Sequence, residues 1–254
     1  MRFRLISSLF VAAFLIAGAI SCKKTETYPT EAVGDFLPLQ VGKYITYRLD
    51  SMVFSNFGRN IEIHRYQVKH VIDAQVTDNL GRTSFRVYTY IRDSAGTGYW
   101  NPNGTYYITP LDKQTEVIED NMRVIKLHAP MTEGFQWKGN SYLAEEPYKT
   151  GYDLNNDNNM RDWDFAYEAP EASFSYQGKN YTDVYTVLQQ DDSFNVPTTD
   201  LTKYAFQSQF IEKYAKNIGL VYSNHLLWEY QPNVSGPSAY RVGFGVTMWM
   251  IDHN

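Results

Sequence analysis

The segment Leu220-Val221-Tyr222-Ser223-Asn224-His225-Leu226-Leu227-Trp228-Glu229-Tyr230 alternates with period two. Leu220, Tyr222, Asn224, Leu226, Trp228 and Tyr230 share one face, and Val221, Ser223, His225, Leu227 and Glu229 share the other. Successive side chains of a β-strand point to opposite faces, whereas a helix gathers every third or fourth residue, so this segment reads as a strand. Gln231 to Pro237 follows with two prolines and Gly236, a loop composition. Tyr240 to Ile251 then alternates again. Val242, Phe244, Val246, Met248 and Met250 lie on one side, with Gly243, Gly245, Thr247 and Trp249 on the other. Two glycines at that spacing thin one face and allow a bend or the close approach of another group.

Working outward, Lys203 to Asn217 fits a helical stripe only partly. Gln209, Ile211, Lys213 and Ala215 alternate with Phe210, Glu212 and Tyr214, which favours a strand. Tyr181 to Gln190 has the same β pattern, and Asp191 to Asp200 reads as a loop. Glu145 to Ala172 is acidic, Asn-rich and poorly periodic, and is expected to cover one end of the sheet. Towards the N-terminus, Asn60–Thr77 and Thr83–Arg92 form a hairpin across the turn Asp78-Asn79-Leu80-Gly81. Tyr44 to Phe54 alternates, with Ile45, Tyr47, Leu49, Ser51 and Val53 on one face. Shorter strands are expected near Thr105–Thr109, Thr115–Ile118 and Arg123–His128, Gly134–Asn140 reads as a brief strand ending in a turn, and Asn101-Pro102-Asn103-Gly104 as a loop. About ten strands joined by hairpin-length loops, without βαβ alternation, predict an all-β, mainly antiparallel fold. A curved sheet or partly closed barrel would limit its exposed edges. The irregular acidic insert interrupts it, and little helix is expected.

The first 22 residues set the compartment. Arg2 and Arg4 precede the uncharged run Leu5–Ile20, and Ala19-Ile20-Ser21 supplies small residues before Cys22. That order is a secretory signal peptide, and the run is shorter than the roughly 20 residues that span a bilayer. Cys22 is the single cysteine of the 254 residues. Ala-Ile-Ser-Cys22 resembles the lipobox of bacterial lipoproteins. The resemblance implies cleavage after residue 21 and acylation of Cys22, and two or more acyl chains anchor stably to a membrane. Residues 1–21 are then the signal, 22–35 the lipidated Cys and a polar flexible tether, and 36–254 a single β-rich domain.

The openings LPLQVGKYITYRLDS (Leu37–Ser51) and EKYAKNIGLVYSNHLLWEY (Glu212–Tyr230), with the close GFGVTMWMIDHN (Gly243–Asn254), resemble an uncharacterised lipoprotein family of Bacteroidota-type bacteria. The resemblance implies a compartment, the cell envelope and its outer membrane, and no activity. Surface lipoproteins of that group carry acidic residues after the lipidated Cys. Lys23-Lys24-Thr25-Glu26 departs from that pattern and favours a periplasm-facing protein.

Composition narrows the partners. The chain has 23 Lys and Arg against 28 Asp and Glu, a net charge of −5, which argues against nucleic acid. With 21 Tyr, 14 Phe and 5 Trp it is rich in aromatics, which suit pleated, half-buried surfaces. Tyr222, Trp228, Tyr230 and Trp249 are the candidates to line a groove on a concave face for a lipid acyl chain or a sugar ring, and a packed core would use them equally well. Asp153, Asn155, Asp157, Asn159 and Asp164 approach the spacing of a calcium loop, with Asn158 where such loops carry Gly and Asp164 where they carry Glu. A solvated Asn/Asp turn is the competing reading. His64 and His70 share one face of an extended segment but stand about 20 Å apart at 3.3 Å per residue, too far to share an ion. No G-x-S-x-G elbow or H-E-x-x-H motif occurs, so no catalytic residue is assigned. The expected function is a lipid-anchored envelope protein with a binding or structural role, its partner an envelope protein, a lipid or a glycan. An envelope hydrolase is the other alternative.

Overall fold

The computed structural model describes residues 31–233 and 238–254. The signal segment, Cys22 and the tether up to Thr30 lie outside the described residues, as do residues 234–237. Among those described, the chain forms an antiparallel, nearly closed barrel with one unsealed seam and little helix. The strands are β1 (Tyr44–Ser55), β2 (Asn60–Thr77), β3 (Thr83–Asp93), β4 (Asn101–Pro110), β5 (Gln114–Glu119), β6 (Met122–His128), β7 (Gln136–Trp137), β8 (Phe165–Tyr167), β9 (Glu171–Tyr176), β10 (Lys179–Phe194), β11 (Ala205–Ala215), β12 (Gly219–Gln231) and β13 (Tyr240–His253). Their order around the barrel is β6-β5-β4-β3-β2-β1-β13-β12-β11-β10-β8-β7, and β9 pairs with β10 alone.

The N-terminal and C-terminal runs of strands are joined by β1 against β13, which pairs Ile45 with His253 and Met52 with Gly245. This pairing removes two long edges that would otherwise expose unpaired N–H and C=O groups. The remaining seam lies between β6 and β7. A backbone bond from Ile125 N–H to Gly139 O (2.8 Å) and an indole bond from Trp137 Nε1 to Ile125 O (2.9 Å) tie it where a ladder would otherwise run. The largest core cluster fills this region, with Phe36, Leu127, Met131, Trp137, Leu154, Met160, Trp163 and Phe165 all buried. The acidic insert thus supplies core side chains to the seam. Its one helix, α1 (Lys149–Tyr152), is a single turn.

Several segments differ from the sequence expectation. Asn101–Gly104 is strand, not loop. Pro102 is tolerated because β5 pairs only with residues 107–110 of β4, leaving the start of β4 open on one side, and because a register shift sits at Asn103. Strand β10 runs on through residues 191–194. Glu31–Asp35, read as part of a flexible tether, is packed: Glu31 bridges Met131, Val33 is buried, and Asn217 N–H donates to Asp35 O at 2.6 Å. Gly243 answers to the close approach expected of it. It pairs with Trp228 at φ +104°, where a Cβ would overlap the Leu227 carbonyl.

Candidate functional site

Alternation along the barrel strands puts one set of side chains inside. Ile45, Tyr47 and Leu49 of β1, Val68, His70 and Ile72 of β2, and Phe244, Val246 and Met248 of β13 face a cavity of about 330 Å³ in the lumen. Leu37, Pro38 and Leu39 cross the lumen at the end where β1 begins. Farther along, Tyr148 and Tyr152 of the acidic insert pack on Phe244, with ring centroids 4.9 and 4.6 Å away. Most of the wall is aliphatic, and its size falls at the lower end of ordinary small-molecule sites.

Polar side chains of the wall fall into two groups, Glu119, Lys126, Glu212 and His225 in one and His70, Thr89, Asn103 and Tyr106 in the other. Glu212 of β11 is 2% exposed, and its carboxylate takes Lys126 Nζ of β6 at 2.6 Å and Tyr214 OH at 2.8 Å. Burial opposes the charge on Glu212, but the ammonium of Lys126 and the neighbouring His225 prevail and hold it below the usual carboxylate range. Burial lowers His225 against the pull of Glu212, and raises Glu119 against the pull of Lys126. Across the lumen, His70 Nδ1 lies 3.1 Å from Tyr106 OH. Desolvation pushes His70 down to about 4, so the imidazole is neutral at physiological pH and pairs with the phenol as a neutral hydrogen-bonding couple.

A smaller cavity of about 120 Å³ adjoins the first and shares Val117, Glu119, Lys126 and His225 with it. Gln189 lines this second space and is only 4% exposed. It owes its position to a β-bulge: Leu188 pairs with Ile211 and Gln190 with Phe210, leaving Gln189 as the extra residue. Its Nε2 makes no hydrogen bond to any protein group, and neither does Nε2 of His225. The latter nitrogen stands 3.1 Å from Glu212 Oε1, inside ion-pair distance but misaligned for a hydrogen bond. The ring is fixed by stacking on Phe210, 4.6 Å between centroids at 14°. A buried donor left unpaired costs about 1–3 kcal/mol, so the Gln189 amide is a costly group to bury.

The residues singled out in the sequence fall elsewhere. Tyr222 and Trp249 do come together, 6.0 Å apart, but on the face opposite the lumen. There Trp249 stacks on Tyr176 at 5.3 Å under the guanidinium of Arg48, and Tyr222 meets Phe174. Trp228 and Tyr230 pack around Ala205 in a separate cluster, with Trp228 Nε1 donating to Gln207 and Tyr230 OH to the Leu201 carbonyl. A bulge explains the reassignment. Lys213 pairs with Tyr222 and Tyr214 with Leu220, so Val221 is the extra residue. Leu220 therefore shares the lumen with His225 and not the face of Tyr222.

The acidic stretch does not converge. Asp153 and Asn155 are exposed, Asn159 occupies the left-handed region, Asp157 is 6% exposed with Oδ2 unpaired, and Asp164 reaches Lys138 at 2.8 Å. Among the described residues no group of three His, Cys, Asp or Glu side chains is placed to hold a metal ion.

Lys126, Gln189, Glu212 and His225 were not marked in the sequence as site residues. The available signal was a polar or charged residue alternating with the aromatics of one strand face, as Glu212 does between Phe210 and Tyr214.

No family model matches the chain, and no curated protein matches it in sequence. Among solved structures it is similar to the crystal structure of a Bacteroides fragilis protein, assigned as exported and given a YmcC-like fold, with 13% identity and a TM-score of 0.39 over 85% of this chain and 98% of that one.

Proposed function

We propose that this chain is a lipid-anchored envelope protein, held to the membrane through acylated Cys22, whose barrel lumen binds an elongated apolar ligand such as a lipid acyl chain. The observation that carries the reading is the lumen of about 330 Å³, lined mainly by apolar side chains with polar groups interspersed. The aromatic pair Tyr222 and Trp249 stands outside this space, and the rings that do line it, Tyr47, Tyr106, Tyr214 and Phe244 among them, are set between aliphatic side chains. An acyl chain there recovers roughly 25 cal/mol per Å² of apolar surface removed from water.

The binding test is titration of the mature chain with an environment-sensitive apolar dye, then displacement by acyl chains of increasing length. Saturable binding is expected, with affinity rising with chain length. Val246→Phe, which fills the lumen, should weaken binding at least tenfold while the circular dichroism spectrum is retained. Equal binding by wild type and Val246→Phe would remove the lumen as the site. The anchor is tested by Cys22→Ala and cell fractionation. The variant should leave the membrane fraction, and its retention there would overturn the anchor.

A further inference from the structure

We infer that the lumen takes its ligand as a carboxylate: an ionised long-chain acid whose head group pairs with Lys43 at the end of the barrel where β1 begins, its tail lying along the apolar wall. The inference rests on the reading of the lumen as an acyl site and names the class of acyl compound that fits. Three features carry it.

The first is the place of Lys43. It directly precedes β1, has the same alternation as the inward Ile45, Tyr47 and Leu49, and lines the same cavity as they do. Its side chain reaches to the turn between β11 and β12, where Nζ donates to the Asn217 carbonyl at 3.0 Å. Ile218 and Leu220 beside that turn line the lumen as well. Gln40, Val41 and Gly42 are exposed and Lys43 itself is half-buried, so a charged head group held here keeps part of its hydration.

The second is a cation without a counter-ion. Among the described residues no carboxylate forms an ion pair with Lys43. Glu31 and Asp252, at the same end of the barrel, are taken by Lys216 and by the Tyr44 hydroxyl. The Asn217 carbonyl uses one of the three N–H groups of the ammonium and supplies no charge. Partial burial pulls Lys43 down from the ordinary lysine value, and no neighbouring anion offsets it. A carboxylate would supply that anion through a charge-assisted hydrogen bond.

The third is the contrast along the lumen. Cross-strand pairing carries Glu212 through Ser223 and Met248 to Leu49 of β1. Leu49 lies about 20 Å along the strand from Lys43, at roughly 3.3 Å per residue. A ligand carboxylate beside Glu212 would meet a like charge, and the ammonium there, Lys126, is already engaged at 2.6 Å. Near the level of Lys43 the inward polar side chains are neutral. His70 stands opposite Ile45, and the ladder from Tyr106 runs through Val87 and Ile72 back to Lys43. An anionic head group therefore favours the Lys43 end.

The test is displacement of the apolar dye from the mature chain at pH 7.5 by palmitate, methyl palmitate and hexadecane. Palmitate should bind about tenfold tighter than methyl palmitate, the worth of one hydrogen bond between charged groups. Lys43→Met should bring acid and ester to equal affinity with the circular dichroism spectrum retained. Lys43→Arg, which keeps the cation, should keep the preference for the acid. If acid and ester bind wild type equally, or if Lys43→Met keeps the acid preference, the head-group assignment fails and the lumen reading stands. Loss of the preference in Lys43→Arg as well would overturn the role of Lys43 as counter-ion. Displacement by none of the three compounds would overturn the lumen reading itself.

Discussion

Of the buried carboxylates of this barrel, the two most deeply buried are treated differently. Glu116 of β5 is 1% exposed and turned away from the lumen. Arg123 donates to it at 2.6 Å, Arg82 at 3.2 Å and Gln114 at 3.0 Å, and Arg82 is held in turn by Asp78 at 2.7 Å. Both guanidinium groups are 24% exposed, so water shares in balancing the charge. Glu212 is as deeply buried but faces inward. It relies on one ammonium and one phenol, with an imidazole beside it that is close and misaligned. The outer cluster satisfies its members and stops there. Lys126 and His225 of the inner one line both cavities. The outer network holds strands together, whereas the inner one is the polar wall that a ligand in the lumen would meet.

The largest effect expected from breaking this contrast is at Glu212. Glu212→Leu strands the ammonium of Lys126 in the interior and should cost about 3–5 kcal/mol of stability, as removal of one partner from a buried pair does. Glu116→Leu should cost less, about 2 kcal/mol, because its arginines reach water. Urea denaturation of the two variants measures the gap, and equal losses would erase the distinction drawn between the clusters.

A pH dependence comes next. His70 is pushed from its ordinary value near 6.5 down to about 4. As pH falls through that window the unfolded chain takes up a proton that the folded chain refuses, so this residue's contribution to stability is lost between about pH 6.5 and 4. Glu119, raised by burial, acts with the opposite sign, so the informative quantity is the difference between wild type and His70→Leu. The variant should show a flatter loss of stability across that range, and parallel curves would refute the assignment.

Smaller still is Gln189→Leu, which removes an unpaired buried donor. It should raise stability by about 1 kcal/mol. A loss of stability would mark Gln189 as structural. The smallest effect should be at Trp249, outside the lumen: Trp249→Phe should leave dye affinity unchanged, and a tenfold loss would bring the outer aromatic cluster into the site.

Much of the fold was legible because β-alternation is a local signal. The hairpin expected over Asn60–Thr77 and Thr83–Arg92 is β2 and β3, and the strand favoured within Lys203–Asn217 is β11. The inward set Phe244, Val246 and Met248 was already grouped on one face of Tyr240–Ile251. The site was harder to see. Bulges at Val221 and Gln189 change which face a side chain occupies, and a bulge is visible only in the pairing of two strands. Aromatic content drew notice to Tyr222, Trp228, Tyr230 and Trp249, while the polar residues that meet in the interior lie far apart along the chain.

Period two and turn chemistry, both properties of near neighbours, determined that this chain makes antiparallel strands and roughly where they begin and end. The order of n-region, apolar run, small residues and Cys22 carries, in the sequence alone, the expectation of a lipid anchor. The joining of the two halves of the sheet was decided only by tertiary structure, since β1 and β13 meet from opposite ends of the chain. So was the meeting of Lys126 with Glu212, which are 86 residues apart. A charge can be held in an interior only where a partner arrives from another strand, and the partner's arrival depends on register, twist and bulges that no local pattern encodes.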